Sequence, residues 1–191
     1  YINIALCAFL SALIGISCNT RAQNSETQLS KKDNETPKVY MFKEISSENL
    51  VKIYEALNRK ATGKVAVKLS TGEPGGHNFL QPALIKDLVQ KVNGTIVECN
   101  TAYGGGIADT ESHLEAAADH GFTAIAPVDI MDSEGETALL VHGGKHLKEN
   151  YVGAHYPNYD FTIILSHFKG HAMGGFGGAI KNMSIGIASS T

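Results

Sequence analysis

The sequence predicts an α/β fold, a mostly parallel, doubly wound sheet with a β-hairpin excursion. Three observations predict it. Strand and helix patterns alternate over residues 65–127, which is typical of βαβ units. The predicted strands are short apolar runs, as in sheets buried on both faces. Polar, glycine-rich segments follow several of these runs, where α/β sheets bind ligands.

Composition and charge limit the classes of protein to which the chain can belong. The chain has 191 residues, of which 43% are hydrophobic and 18% charged, enough for one domain with its own core. The net charge is −3, from 16 Lys and Arg against 19 Asp and Glu. This balance gives no indication of nucleic-acid binding.

The first eighteen residues resemble a bacterial lipoprotein signal. Residues 1–17 carry no charge, and small residues precede Cys18. We therefore predict lipidation of Cys18, export, and anchoring in the bacterial cell envelope. A buried helix is the alternative. The chain begins without Met or a basic segment, so we expect that its front is truncated.

Residues 19–38 are polar and contain almost nothing to bury. They predict a disordered tether between the anchor and an α/β domain at 39–191. Residues 39–42 predict a strand. Ser46 or Ser47 is expected to cap a helix that runs to about Asn58.

The central βαβ unit is predicted from three successive segments. Residues 65–69 form an apolar strand that contains Lys68, which points to the sheet edge or reaches the site. A helix with Pro82 in its first turn follows, and residues 95–98 form the next strand.

The segment after this second strand carries candidate ligand contacts. Asn100 and Thr101 lie where such sheets present ligand-binding side chains. Cys99 is either a buried small apolar residue or a reactive thiol. Asp109 or Thr110 caps a helix through His120, and His113 near its start is a further ligand-binding candidate.

Another strand is predicted at 123–127, and residues 137–141 and 147–152 predict a hairpin. Residues 161–165 form the next buried strand. Residues 185–187 are an apolar continuation with nothing that completes the fold after them. We therefore expect the domain to be incomplete at its C-terminus.

Residues 166–182 form the predicted site loop, which combines two histidines, two lysines and five glycines. We expect irregular backbone there, because its glycines disfavour a regular helix. The loop lacks the spacing of a P-loop or a dinucleotide fingerprint. Its predicted catalytic residues are Lys169 as charge partner, His171 as proton donor or acceptor, and Lys181 as anion or cofactor contact. The predicted ligand-binding residues of the loop are His167, Gly174, Gly175, Gly177 and Gly178.

Three segments, 96–106, 109–113 and 166–189, resemble the bacterial domain-of-unknown-function family 362. The resemblance covers about residues 64–191 and implies a ferredoxin-like [4Fe-4S] cluster in the full-length member, with no established activity. This chain departs from the pattern: it has no ferredoxin-type cysteine run, so no metal ligands are predicted within it. Ile107 also stands where a basic residue is expected.

A second, shorter resemblance links His171, Gly175, Phe176, Gly178 and Lys181 to the nickel-pincer lactate racemase family. It implies acid–base chemistry at His171 and covalent cofactor attachment at Lys181.

Taken together, we expect a membrane-tethered envelope protein. It would perform iron–sulfur-associated redox or acid–base chemistry on a small anionic ligand, or act with a redox partner. The alternatives are a non-catalytic lipoprotein that binds an anionic small molecule and a racemase-like isomerase. Whether the chain is an enzyme stays open.

Overall fold

The computed structural model describes residues 4–7, 38–172 and 174–190. Cys18 and nearly all of the proposed tether lie outside the described residues. Four helices are described: α1 (Ser47–Ala56), α2 (Pro82–Lys91), α3 (Thr110–Asp119) and α4 (Ala179–Ser184). Single 3-10 turns lie at Tyr156–Asn158 and Ile185–Ile187. None of the helices in the described ranges is long and apolar enough to cross a bilayer.

The described residues contain nine strands in three sheets. They are β1 (Ile4–Cys7), β2 (Val65–Lys68), β3 (Gly94–Glu98), β4 (Val128–Ile130), β5 (Glu136–Leu140), β6 (Glu149–Gly153), β7 (Phe161–His167), β8 (Lys169–His171) and β9 (Gly175–Gly177). The main sheet has the order β1-β7-β2-β3-β4. Strands β7, β2, β3 and β4 run parallel, and β1 pairs antiparallel with β7. The predicted α/β fold and its hairpin are confirmed.

The two faces of the main sheet are covered differently. On one face, Val65, Val67 and Leu69 pack with apolar side chains of α1 and α2, including Leu50 and Ile85. On the other face, Ala66 and Val97 pack with Val152, Tyr156 and Ile187. Side chains of a strand alternate between faces, so Lys68 points to this second face, which loops, β6 and the last helical turns cover.

The helix starts follow the sequence prediction closely. The Ser46 side chain accepts a hydrogen bond from the backbone N–H of Asn49 at the start of α1. The Asp109 carboxylate accepts one from Ser112 N–H at the start of α3. These bonds satisfy N–H groups that have no partner within the helix.

Two predicted strands are wrong. Residues 39–42 are not in a sheet, and Val39 is 90% exposed, because no strand edge receives this apolar run. Residues 123–127 form turns, held by hydrogen bonds from Ile125 N–H and Ala126 N–H to the carbonyl of Phe122. The strand β4 begins only after Pro127, which has no N–H to donate to a ladder.

The irregular backbone predicted for the His-x-Lys-x-His segment, residues 167–171, is also wrong. His167 is the last residue of β7, and Lys169 and His171 lie in β8, which pairs with β9 as a small hairpin. Glycine tolerates the extended hairpin as well as a loop, so the glycine content did not distinguish the two.

Candidate functional site

A cavity of about 330 Å³ lies at the carboxyl ends of β2, β3 and β7. Parallel strands place these ends at one edge of the sheet, so the segments after each strand meet there. The predicted site residues that line the cavity are Asn100, Thr101, His167, Lys169, His171, Gly177, Gly178 and Lys181. Two loops that are far apart in the sequence, at Asn100 and at His167, therefore form one site.

Lys169, His171 and Lys181 form what we call the cationic rim of this cavity. Lys169 is exposed, while His171 and Lys181 are half-buried. Within the part of the chain that the structure describes, neither lysine ammonium has a hydrogen-bond or carboxylate partner. Two unpaired positive charges that face one cavity favour an anion there.

The glycine at position 177 lets the rim side chains approach each other. A Cβ on Gly177 would lie 3.3 Å from Lys181 Cδ and 3.9 Å from His171 Cβ. The hairpin therefore brings His171 and Lys181 against the same backbone position. This is the convergence that a common ligand contact requires.

The ring of His171 is oriented by the backbone. Its Nδ1 accepts a hydrogen bond of 3.0 Å from Gly174 N–H. A neutral ring with Nδ1 occupied in this way carries its proton on Nε2. In this arrangement His171 offers an N–H donor to a ligand oxygen.

His167 differs from His171 in its electrostatic surroundings. Burial and the nearby Lys169 ammonium lower the pKa of His167 below its ordinary value of 6.5. Both effects disfavour the imidazolium. His167 is therefore neutral at neutral pH and can accept a proton from a bound molecule.

Beneath the rim lies a set of buried and half-buried charged and polar groups, which we call the floor network: Lys68, Thr71, Glu98, Asn100, His113, Asp132 and Asn182. Lys68 is 1% exposed. Its Nζ donates to Leu69 O at 2.6 Å and to Asn182 Oδ1 at 3.0 Å. The Glu98 carboxylate lies 3.6 Å away. A buried ammonium is tolerated only with such partners.

Glu98 is the centre of the floor network. It accepts a short hydrogen bond from Thr71 N–H and lies 3.8 Å from His113 Nε2. Burial raises the pKa of this carboxyl, but Lys68, His113 and the Thr71 N–H together outweigh burial and bring the pKa to about 2. Glu98 is therefore held as a carboxylate.

The predicted ligand residues Asn100 and His113 belong to this network. His113 is fully buried, and its Nδ1 lies 3.2 Å from Asn100 Oδ1. Asn100 Nδ2 donates to Thr110 Oγ1 at 3.0 Å, and Asn100 N–H donates to Asp132 at 2.9 Å. His113 therefore does not line the cavity but holds Asn100 in place beneath it.

Gly186 closes the floor over Lys68. A Cβ at this position would lie 3.0 Å from Lys68 Nζ and 3.1 Å from Asn182 Oδ1. A side chain would press directly on the buried ammonium. Glycine therefore lets the last helical turn lie close over the ion pair.

Cys99 is a buried thiol next to the cavity. It is 6% exposed, and its Sγ lies 3.5 Å from Ile187 O. Burial, together with the Asp132 carboxylate, raises the pKa of the thiol to about 12. A buried thiol with a raised pKa is a weak nucleophile, which agrees with the first of the two sequence interpretations.

The described residues do not fit a metal centre. No group of three or more His, Cys, Asp or Glu in the described ranges is arranged to hold a metal ion. A [4Fe-4S] cluster requires about four thiolates, and the described residues contain two cysteines, Cys7 and Cys99.

The remaining predicted residues lie beside the cavity. Gly174 follows β8 and lines a neighbouring apolar groove. Gly175 begins β9 with a φ of +69° and lines neither the cavity nor the groove among the described residues. Its left-handed conformation lets the hairpin turn.

Sequence reasoning missed Glu98 and Asp132 and left Lys68 undecided. The available signal was a charged residue at the same end of two apolar strands. Charged residues are rarely fully buried without a partner, so Lys68 and Glu98 at neighbouring strand ends indicate an ion pair.

The family described as "Domain of unknown function (DUF362)" matches residues 65–191. The chain belongs to this family. The match contains the whole cavity, from Lys68 to Ser190. No curated protein and no solved structure matches the chain. These comparisons do not support the resemblance to the nickel-pincer lactate racemases.

Proposed function

We propose that this DUF362 member binds a small anionic molecule in the cavity and performs acid–base chemistry on it. The observation that carries the proposal is that Lys169 and Lys181, two lysines without a partner among the described residues, line the same cavity. The cavity is lined by three lysines and two glutamates. Lys68 and Glu98 neutralise each other, and Glu73 offsets one of the two rim lysines, so the charged side chains of the lining sum to +1.

His167 and His171 have different roles in this proposal. His171 presents its Nε2–H to a ligand oxygen, because Nδ1 is occupied by Gly174 N–H. His167, with its lowered pKa, is the proton acceptor. A general base is most effective when it is neutral at the working pH and within reach of the substrate.

The floor network positions the opposite side of the site. Asn100 and Thr101 line the cavity from the β3 loop. The Asn100 side chain is held by His113 and Thr110 and its backbone by Asp132, so little ordering of this loop is needed when a ligand binds.

The cellular setting and the redox chemistry stay predictions. We expect envelope localisation through lipidated Cys18, with acid–base chemistry that is associated with an iron–sulfur cluster in the family. Because the described residues do not fit such a cluster, we derive no step through it. A Cys18→Ser variant tests the anchor: fatty-acid label and membrane retention should both be lost in cells.

Calorimetry at low salt, with inorganic phosphate and with malonate as ligands, tests the proposed site. We expect weak binding to the wild-type chain and at least a tenfold loss in a Lys169→Met/Lys181→Met double variant. Lys145→Met removes an exposed lysine from the loop between β5 and β6 and serves as the matched control. Equal binding by all three proteins would refute the site.

Turnover separates the catalytic proposal from the non-catalytic alternative. Solvent deuterium exchange into carbon-bound positions of bound carboxylates reports proton transfer directly. We expect exchange that His167→Gln abolishes while malonate still binds. Binding without exchange for any carboxylate tested would favour a non-catalytic binding protein.

A further inference from the structure

An apolar groove of about 740 Å³ adjoins the cavity. Its apolar walls are Phe168, Phe176, Ile180 and Ile185. The rings of Phe168 and Phe176 lie 5.6 Å apart and form one side. A groove of this size is in the range that accommodates small ligands.

The walls of this groove are unusually exposed for their side chains. Phe176 is 63% exposed, Ile180 78% and Ile185 62%. Single exposed apolar residues are ordinary, but a contiguous set is typical of a binding surface. These three side chains therefore form a candidate binding surface.

The groove and the cavity share part of their lining. Five residues line both: Ser166, His171, Gly178, Lys181 and Ile185. Two of the three residues of the cationic rim thus lie at the junction. A molecule that places a negative group against Lys181 has its remaining atoms directed either into the polar cavity or along the groove.

We propose that the ligand is an amphipathic anion, with a carboxylate or similar acidic head at the cationic rim and an apolar chain along the groove. The charge of the rim and the apolar walls beside it are complementary to the two ends of such a molecule. This inference rests on the proposed function and names its ligand class.

Three probes separate the contributions of head and chain: butyrate, decanoate below its critical micelle concentration, and 1-decanol. Calorimetry or competition against a fluorescent fatty acid gives their affinities for the full chain. We expect decanoate to bind at least tenfold more tightly than butyrate and than decanol, because only decanoate satisfies rim and groove together.

Two groove variants, Phe176→Ser and Ile180→Ser, change exposed side chains and should fold normally. Each should lower decanoate affinity at least fivefold and leave butyrate affinity unchanged. Leu140→Ser is the matched control, because Leu140 is 69% exposed on the separate β5–β6 hairpin. Lys181→Met should weaken both carboxylates.

The outcomes distinguish the two proposals. Equal affinities for butyrate and decanoate would overturn the amphipathic ligand and leave the anion site standing. If butyrate, decanoate, phosphate and malonate all fail to bind, the proposed function itself is refuted. Equal binding of decanol and decanoate would overturn the head-group contact. Self-association of the wild-type chain that Phe176→Ser abolishes, with unchanged decanoate affinity, would assign the groove to a second copy instead.

Discussion

The floor network and the cationic rim contain the same kinds of charged side chain but treat them in opposite ways. Lys68 on the floor is 1% exposed and has three oxygen partners within 3.6 Å. On the rim, Lys169 and Lys181 have none among the described residues. The buried pair holds the strand ends together, whereas the unpaired charges are available to a ligand. Pairing, and not residue type, separates the structural charges from those that we propose to bind a ligand.

The largest effect should come from breaking the floor pair. Glu98→Gln leaves the Lys68 ammonium buried without its counter-ion, so we expect a loss of about 3–5 kcal/mol in the free energy of unfolding. Urea unfolding measures it. Glu115→Gln, on the exposed face of α3, is the control.

A second variant keeps this prediction informative if Glu98→Gln fails to fold. Lys68→Met/Glu98→Gln removes both charges, and it should be more stable than either single variant. A loss below about 1 kcal/mol for Glu98→Gln would show that the floor pair contributes little, and the contrast with the rim would disappear.

Acidic pH should lower the stability of the fold by protonating the Glu98 carboxylate. The folded pKa of Glu98, about 2, lies below its ordinary value of 4.5. Between these values the unfolded chain binds more protons, so this contribution to stability is complete above pH 4.5 and is lost as pH falls toward 2. Urea midpoints measured across this window should decline more steeply in the wild type than in Glu98→Gln. Parallel declines would contradict the assignment.

A smaller loss of stability is expected at Gly186, which lies over the floor network. Gly186→Ala places a methyl group against Lys68 Nζ and Asn182, and overpacking of this kind costs about 1–3 kcal/mol. Gly170→Ala is the matched control, because a Cβ there meets nothing within 4 Å. Thermal unfolding of both variants compares them. Equal stabilities would mean that the last helical turn does not press on the ion pair.

The smallest change in stability should come from the rim. Lys181→Met keeps the aliphatic stem and removes a charge with no partner among the described residues, so we expect a change of less than about 0.5 kcal/mol. Urea unfolding checks this value. A loss comparable to that of Glu98→Gln would make Lys181 a structural residue and remove it from the site.

Local signals predicted much of the fold. The caps at Ser46 and Asp109, the proline at the start of α2 and the buried strands are set by neighbouring residues. The strand predicted at 39–42 failed because an apolar run becomes a strand only where a sheet edge receives it. The hairpin of β8 and β9 was missed because glycine permits several backbone conformations.

The site was predictable in its location but not in its division of roles. Asn100, His167 and Lys181 could be assigned to the carboxyl ends of strands from the alternation alone. His113 lies outside the cavity because α3 packs against Thr71 and Asn100. No local sequence pattern predicts this packing. The Lys68–Glu98 pair likewise depends on the register of β2 against β3.

The pKa of His167 tests the proposed anion site most directly. NMR of the imidazole nitrogens measures this pKa in the wild type and in Lys169→Met. We expect a wild-type pKa below 6.5 that rises in Lys169→Met and also rises when malonate binds near the cationic rim. Lys145→Met should leave it unchanged. A wild-type pKa at or above 6.5 that neither Lys169→Met nor malonate shifts would contradict a positively charged anion site at this end of the sheet.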